Sequence, residues 1–205
     1  MRHRFLTAAI VAASAIVLGS CATGQGRPEP AATPLESLVP APPSSEVVGT
    51  GMVMDVAGDA QLCQGMIMES YPPQCHGVPL HGWSWDGVDG SESSGDATWG
   101  MYAVQGAYDG TGLTVTRPPI LLALYDPPAL PDPTGGTPGA SDEDALTRVA
   151  DELGARLSGP LVGVTVMDGY VWLDVPWDDG TLQRAADDEF GDGVVIVRSG
   201  LRTVE

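Results

Sequence analysis

Two periodicities divide the chain. From residue 141 onward, Leu146, Val149, Ala150, Leu153 and Leu157 recur at helical spacing and predict a helix over 142–157. Ser141, with Asp144 three residues later, makes a variant capping box, and Gly159-Pro160 ends the run. Asp144 with Arg148 and Glu152 with Arg156 are i,i+4 pairs on its exposed side. Alternation with a period of two then predicts strands over 161–167 and 170–175, joined by Asp168-Gly169, a strong hairpin signal. Pairing Met167 with Tyr170 puts Val162, Val164, Val166, Val171, Leu173 and Val175 on one face, the core face, and Thr165 and Trp172 on the other. Asp178 or Asp179 caps a second helix over 181–190, with Leu182, Ala185, Ala186 and Phe190 inward and Gly191 as its stop. A strand over 194–197 closes the series. The order helix, strand, strand, helix, strand predicts a three-stranded sheet with two helices on one face.

Residues 46–125 offer no amphipathic helical stretch, only short β-like runs bounded by Gly and Pro. Strands are predicted over 47–56, 61–69, 98–108 and 112–116, with 120–125 closing the set, and Asp109-Gly110 turns the third into the fourth. Trp99, Met101, Ala103 and Gln105 alternate with Gly100, Tyr102, Val104 and Gly106, so neither face is cleanly apolar. Five short strands in about eighty residues resemble an OB-fold, a small barrel that removes exposed edges by closing. Between the two parts, residues 126–140 carry five prolines and three glycines and read as a linker. The expected fold class is therefore α+β: an N-terminal all-β, OB-like barrel domain over 46–125, then a two-layer αββαβ domain over 141–205. The latter, with its 190–197 ending FGDGVVIV, resembles small αββαβ domains of exported actinobacterial proteins and, more loosely, BON-type envelope domains.

The first twenty residues do not enter that fold. Arg2 and Arg4 precede an apolar run, 5–18, too short for a permanent membrane span, the pattern of a signal peptide over 1–20. Leu18-Gly19-Ser20-Cys21 resembles the lipobox of bacterial lipoproteins. The resemblance implies cleavage before Cys21, diacylglycerol on its sulfur and residence on the outer face of the cytoplasmic membrane; two or more acyl chains hold a protein there stably. Residues 21–45, rich in Pro, Ala, Gly and Ser with apolar side chains only at Leu35, Leu38 and Val39, read as a disordered tether with a reach of roughly 27 Å. Of three cysteines, one is thus assigned to lipid, and Cys63 and Cys75 are left to pair in an oxidising compartment. The bridge closes a short loop, worth about 2–3 kcal/mol.

Charge narrows the partners. Loss of Arg2 and Arg4 leaves seven basic against 27 acidic residues, a formal charge of −20. Such a surface repels nucleic acid and anionic head groups, so an acyl group rather than electrostatics must supply membrane attachment. Every basic residue is arginine, a codon bias that resembles GC-rich actinobacteria and carries no functional information.

Candidate chemistry is sparse. His76 and His81, near Cys75, match neither an HExxH pair nor a Cys/His zinc pattern. The Gly-rich loop bearing Asp86, Asp89, Glu92 and Asp96 has oxygen donors of the kind calcium takes, without EF-hand spacing; a structural calcium ion is the one cofactor it suggests. No GxSxG is present, and the absence of lysine excludes SxxK. Trp83, Trp85, Trp99 and Tyr102, with Trp172 and Tyr170 on the far face of the hairpin, are candidates for a binding surface on which a sugar ring or a protein partner would stack. The expected function is a non-catalytic binding or interaction module of the cell envelope, its partner an envelope protein or glycan. The alternative is a small envelope hydrolase using carboxylates of the acidic loop.

Overall fold

The fold was read from a computed structural model, which describes residues 33–127, 132–157 and 163–204. Strand β1 (Val47–Val56) is long enough to pair along its length with β5 (Ala97–Tyr108) and, at its C-terminal half, with β2 (Asp59–Met68). β2 continues to β3 (Gln74–His81), β3 pairs in parallel with β6 (Leu113–Val115), and β6 returns antiparallel to β5. The order β1-β2-β3-β6-β5 therefore closes on itself as a five-stranded barrel. Two short strands, β4 (Glu92–Ser94) and β7 (Ile120–Leu121), add to β5. Inside lie Val47, Val53, Leu62, Val78, Leu80, Tyr102, Val104 and Leu113. The α+β class expected from the pattern is what is found.

β3 was not expected, because Gly77 and Pro79 punctuate it like a loop. Both are accommodated by the ladder. Opposite Cys63, a Cβ on residue 77 would lie 2.2 Å from the Leu62 carbonyl oxygen, so the strands approach there only because the residue is glycine. The β5–β6 turn is held by one carboxylate. Asp109 accepts from the backbone N–H of Gly112 and from the hydroxyl and N–H of Thr111, and these bonds, Gly112's first, pull its pKa down to about 2.

In the second layer, α1 (Glu143–Arg156) starts at Asp142, whose side chain accepts from Ala145 N–H, one residue later than the Ser141 cap the sequence suggested. β8 (Gly163–Met167) and β9 (Tyr170–Val175) pair in the expected register, Met167 opposite Tyr170. Asp168 and Gly169 both take positive φ, 54° and 79°, the turn whose twist matches the strands. α2 (Thr181–Phe190) is capped by Asp178, which accepts from Leu182 and Gln183, and β10 (Val195–Ser199) lies parallel to β9. Leu146, Leu153, Val171, Leu173, Val175, Leu182 and Val195 form the core of this layer.

Three expectations about organisation are corrected. First, the tether assigned to 21–45 is not free over its described part. Leu35, in a short 3-10 turn (Leu35–Ser37), is 1% exposed within the core of the helical layer. Glu36 pairs with Arg156, the Trp177 indole donates to the Ala41 carbonyl, and the Ala41 N–H donates to Asp179. One buried leucine with polar anchors on each side is enough to seat a segment whose composition alone looks disordered. Second, within the linker assigned to 126–140, residues 132–139 lie against the β8–β9 hairpin: Gly139 N–H donates to the Asp168 carbonyl and the Tyr170 hydroxyl to the Thr137 carbonyl. Third, the chain does not stay in two domains. After β10, β11 (Leu201–Thr203) leaves the second sheet and pairs with β1, burying Leu201 in the barrel core. Ala32–Glu205 accordingly form one compact unit.

Acid should loosen this arrangement. Hydrogen bonds from Arg156 hold Glu36 below the usual carboxylate range, as those of Gly112 and Thr111 hold Asp109. A carboxylate with a lowered folded pKa stabilises the protein above its unfolded value, about 4. That contribution is lost as pH falls through the folded value. The melting midpoint should therefore drop between about pH 4 and 2, and Asp109→Asn should flatten part of the drop; superimposable profiles for the two chains would contradict it.

Candidate functional site

The aromatic residues do not form one surface. Tyr102, almost fully buried inside the barrel, meets Trp83 and Trp85 at centroid distances of 5.6 and 6.0 Å, and the two indoles meet edge to face at 5.0 Å. Trp85 donates to Asp55 and the Tyr102 hydroxyl to the Asp89 carbonyl, so the three rings plug one end of the barrel. The buried indole N–H of Trp83 finds no acceptor among the described residues. Burial, with the Asp89 charge as a smaller cause, raises the Tyr102 pKa. Trp99 lies on the outer face under Tyr71, ring to ring at 5.6 Å. Trp172, on the hairpin face expected either to bind a partner or to receive the β domain, is 8% exposed: Arg198 lies over its ring at 5.1 Å, Tyr170 packs edge-on, and residues 132–138 of the supposed linker border it. Of the residues expected to form a stacking surface, Trp99, Tyr102 and Trp172 are buried, while Trp83, Trp85 and Tyr170 are half-buried.

The acidic loop is also differently used. Glu92 is drawn into β4 opposite Trp99, and the Asp89 carbonyl is taken by Tyr102. Among the described residues no three His, Cys, Asp or Glu side chains gather closely enough to hold a metal ion, so Asp86, Asp89, Glu92 and Asp96 are not brought together. His76 and His81 fall on β3 and are exposed. Cys63 and Cys75 are joined, as expected, with their Cα atoms 5.7 Å apart across β2 and β3.

The outer face around that bridge is where unexplained side chains collect. Met54, Cys63, Ala97 and Trp99 make a second, outward cluster, with Met52 and Cys75 packed against it. Beside it lies a groove of about 510 Å³ running from the barrel wall to the β10–β11 corner. Met52, Ile67 and Met101 line one side, Arg198 and Arg202 the other. Arg198 is clamped by the Asp174 carboxylate, which raises its pKa, whereas Arg202 makes no ion pair among the described residues. Beyond the groove, the end of the β2–β3 hairpin exposes Met66 (83%), Met68 and Tyr71.

Reading the sequence for aromatics and carboxylates passed over these residues. Their signal was the repeated Met-x-Met of Met52/Met54 and Met66/Met68, a period of two that sends both side chains of a pair to one face of a strand. Comparison with protein-family models, with curated proteins and with solved structures gave no match.

Proposed function

We propose that this chain is an exported lipoprotein, anchored through Cys21 to the outer face of the cytoplasmic membrane, that acts without catalysis as a binding module of the cell envelope. The recognition unit is the barrel. We read it as OB-like, since β3 and β6 run parallel where the five strands close, and the α1-β8-β9-α2-β10 segment as a BON-like αββαβ unit fused to it. The observation that carries the reading is the exposed apolar end of the β2–β3 hairpin beside the groove. OB-folds bind their ligands on the face of the second and third strands. An apolar patch of this kind on a strongly acidic chain suits a protein or glycan partner and disfavours nucleic acid. The disulfide supports an oxidising compartment.

Fractionation and crosslinking test the two halves separately. Cys21→Ser should move the protein from the membrane to the soluble fraction, and retention would remove the anchor. A photocrosslinking residue at position 66 should capture an envelope component. The same probe at Leu124, also exposed but following β7 on the side of β5 away from β1, should not. Equal capture at both positions, or none at either, would remove the barrel face as the recognition surface.

A further inference from the structure

We propose that Met52, Met54 and Met101 form a binding site for a soft monovalent cation of the Cu(I) and Ag(I) class. The β1–β5 register sets Met52 directly opposite Met101 and Met54 opposite Trp99. Residues facing each other on antiparallel strands have their Cβ atoms about 4.5–5.5 Å apart, and residues two apart on a strand share a face. Three thioethers are thus held on one patch of two hydrogen-bonded strands, each on an unbranched side chain whose three rotatable bonds let the sulfurs converge.

Burial grades across the patch. Met54 is enclosed in the cluster with Cys63, Ala97 and Trp99, Met52 packs on that cluster, and Met101, 40% exposed, shares the groove with Met52. An ion entering from the groove would meet Met101 and Met52 first and Met54 last.

The donor set decides the metal. Thioethers are neutral, soft ligands that select Cu(I), whereas zinc takes thiolate, imidazole or carboxylate and calcium takes oxygen. Both cysteines beside the patch are oxidised to a disulfide, so the thioethers are the soft donors left there. Neutral ligands leave the cation's charge standing, which suits a chain with a formal charge of −18. Met66 and Met68 have the same spacing but lie on the opposite face of β2 from Ile67, the neighbour that lines the groove, and serve as an internal control.

The test uses the chain carrying Cys21→Ser, so that no free thiol competes, with its disulfide intact, titrated with silver nitrate in chloride-free buffer. Native mass spectrometry should show one Ag(I) per chain and no retained zinc. The methyl resonances of Met52, Met54 and Met101 should shift in carbon-labelled methionine spectra, with those of Met66 and Met68 unmoved. Leucine conserves the volume of methionine, so the Met52→Leu/Met101→Leu chain should fold and lose at least about tenfold in affinity, while Met66→Leu/Met68→Leu keeps it. Failure to bind Ag(I), shifts confined to Met66 and Met68, or undiminished affinity in the first variant would overturn the site. The spectra of the unsubstituted chain decide the matter even if that variant misfolds.

Discussion

Leu35→Ala is expected to lower the unfolding free energy by about 2–5 kcal/mol, the range for emptying a fully buried leucine site. The side chain sits in the same core as Leu146, Leu153, Leu173 and Ala186, although it comes from a segment more than a hundred residues earlier in sequence. Its backbone is pinned on both sides. Arg156 reaches Glu36 and also Glu152 and Glu189, so the strap and both helices share one guanidinium. Further along, Trp177 and Asp179 hold Ala41. Val39, in the same segment, is 84% exposed, and Val39→Ala should change stability by no more than about 0.5 kcal/mol. Denaturant midpoints compared at unchanged slope measure both. Equal, negligible effects would mean that residues 33–45 hang free, as their composition suggests. A large effect at Leu35 alone would mean that residues 33–45 belong to the folded unit.

Leu201→Ala should cost a similar amount, about 2–5 kcal/mol, and should do so in the barrel, far along the chain from most of its strands. Leu201 is fully buried with Val47, Leu62 and Val104, opposite Gly49 on β1. The backbone at this point belongs to both layers: Gly200 N–H donates to the Val175 carbonyl and Leu201 N–H to that of Pro176, at the end of β9, while β11 pairs with β1. Loss of the side chain should therefore weaken the unit as a whole. With Trp172→Phe and Trp177→Phe in the background of both chains compared, indole fluorescence reports the barrel through Trp83, Trp85 and Trp99, and far-ultraviolet circular dichroism reports mainly α1 and α2. The two signals should unfold together in the native chain and remain coincident in Leu201→Ala. Transitions that separate, with the helical signal unmoved by the substitution, would restore two independent domains.

Much of the secondary structure was legible because its cause is local. The hairpin from β8 to β9 follows from alternation plus Asp168-Gly169, whose positive φ values only such residues adopt readily; α2 follows from an acidic cap, an amphipathic face and a glycine stop. β1 likewise keeps its expected bounds. The strands that were missed are those stabilised from outside. β3 carries a glycine and a proline that read locally as a loop and is held as a strand by its pairing with β2 and β6, β4 has three polar residues and exists as an edge added to β5, and β11 is a three-residue strand supported by β1.

The site was less legible still. Trp83, Trp85 and Tyr102 were conspicuous as large aromatic side chains, yet the same property makes them the best filling for a barrel end, and the structure uses them so. Met52 and Met101 are 49 positions apart, and nothing in their local sequence says that β1 and β5 will set them face to face. Arg198 and Arg202 reach the groove only because β10 passes into β11 across the layers.

What the sequence by itself determined is therefore what nearest neighbours along the chain can enforce: the α+β class, most of the helices and strands, the hairpin register and, by cysteine count, the Cys63–Cys75 bridge. Tertiary structure alone decided that β3 and β6 close a barrel, that Leu35 and Leu201 join cores built by segments distant in sequence, and which side chains are left facing outward. The physical reason is that apolar burial is not directional. A leucine is stabilised by whatever core it can reach, and which core that is depends on the path of the whole backbone.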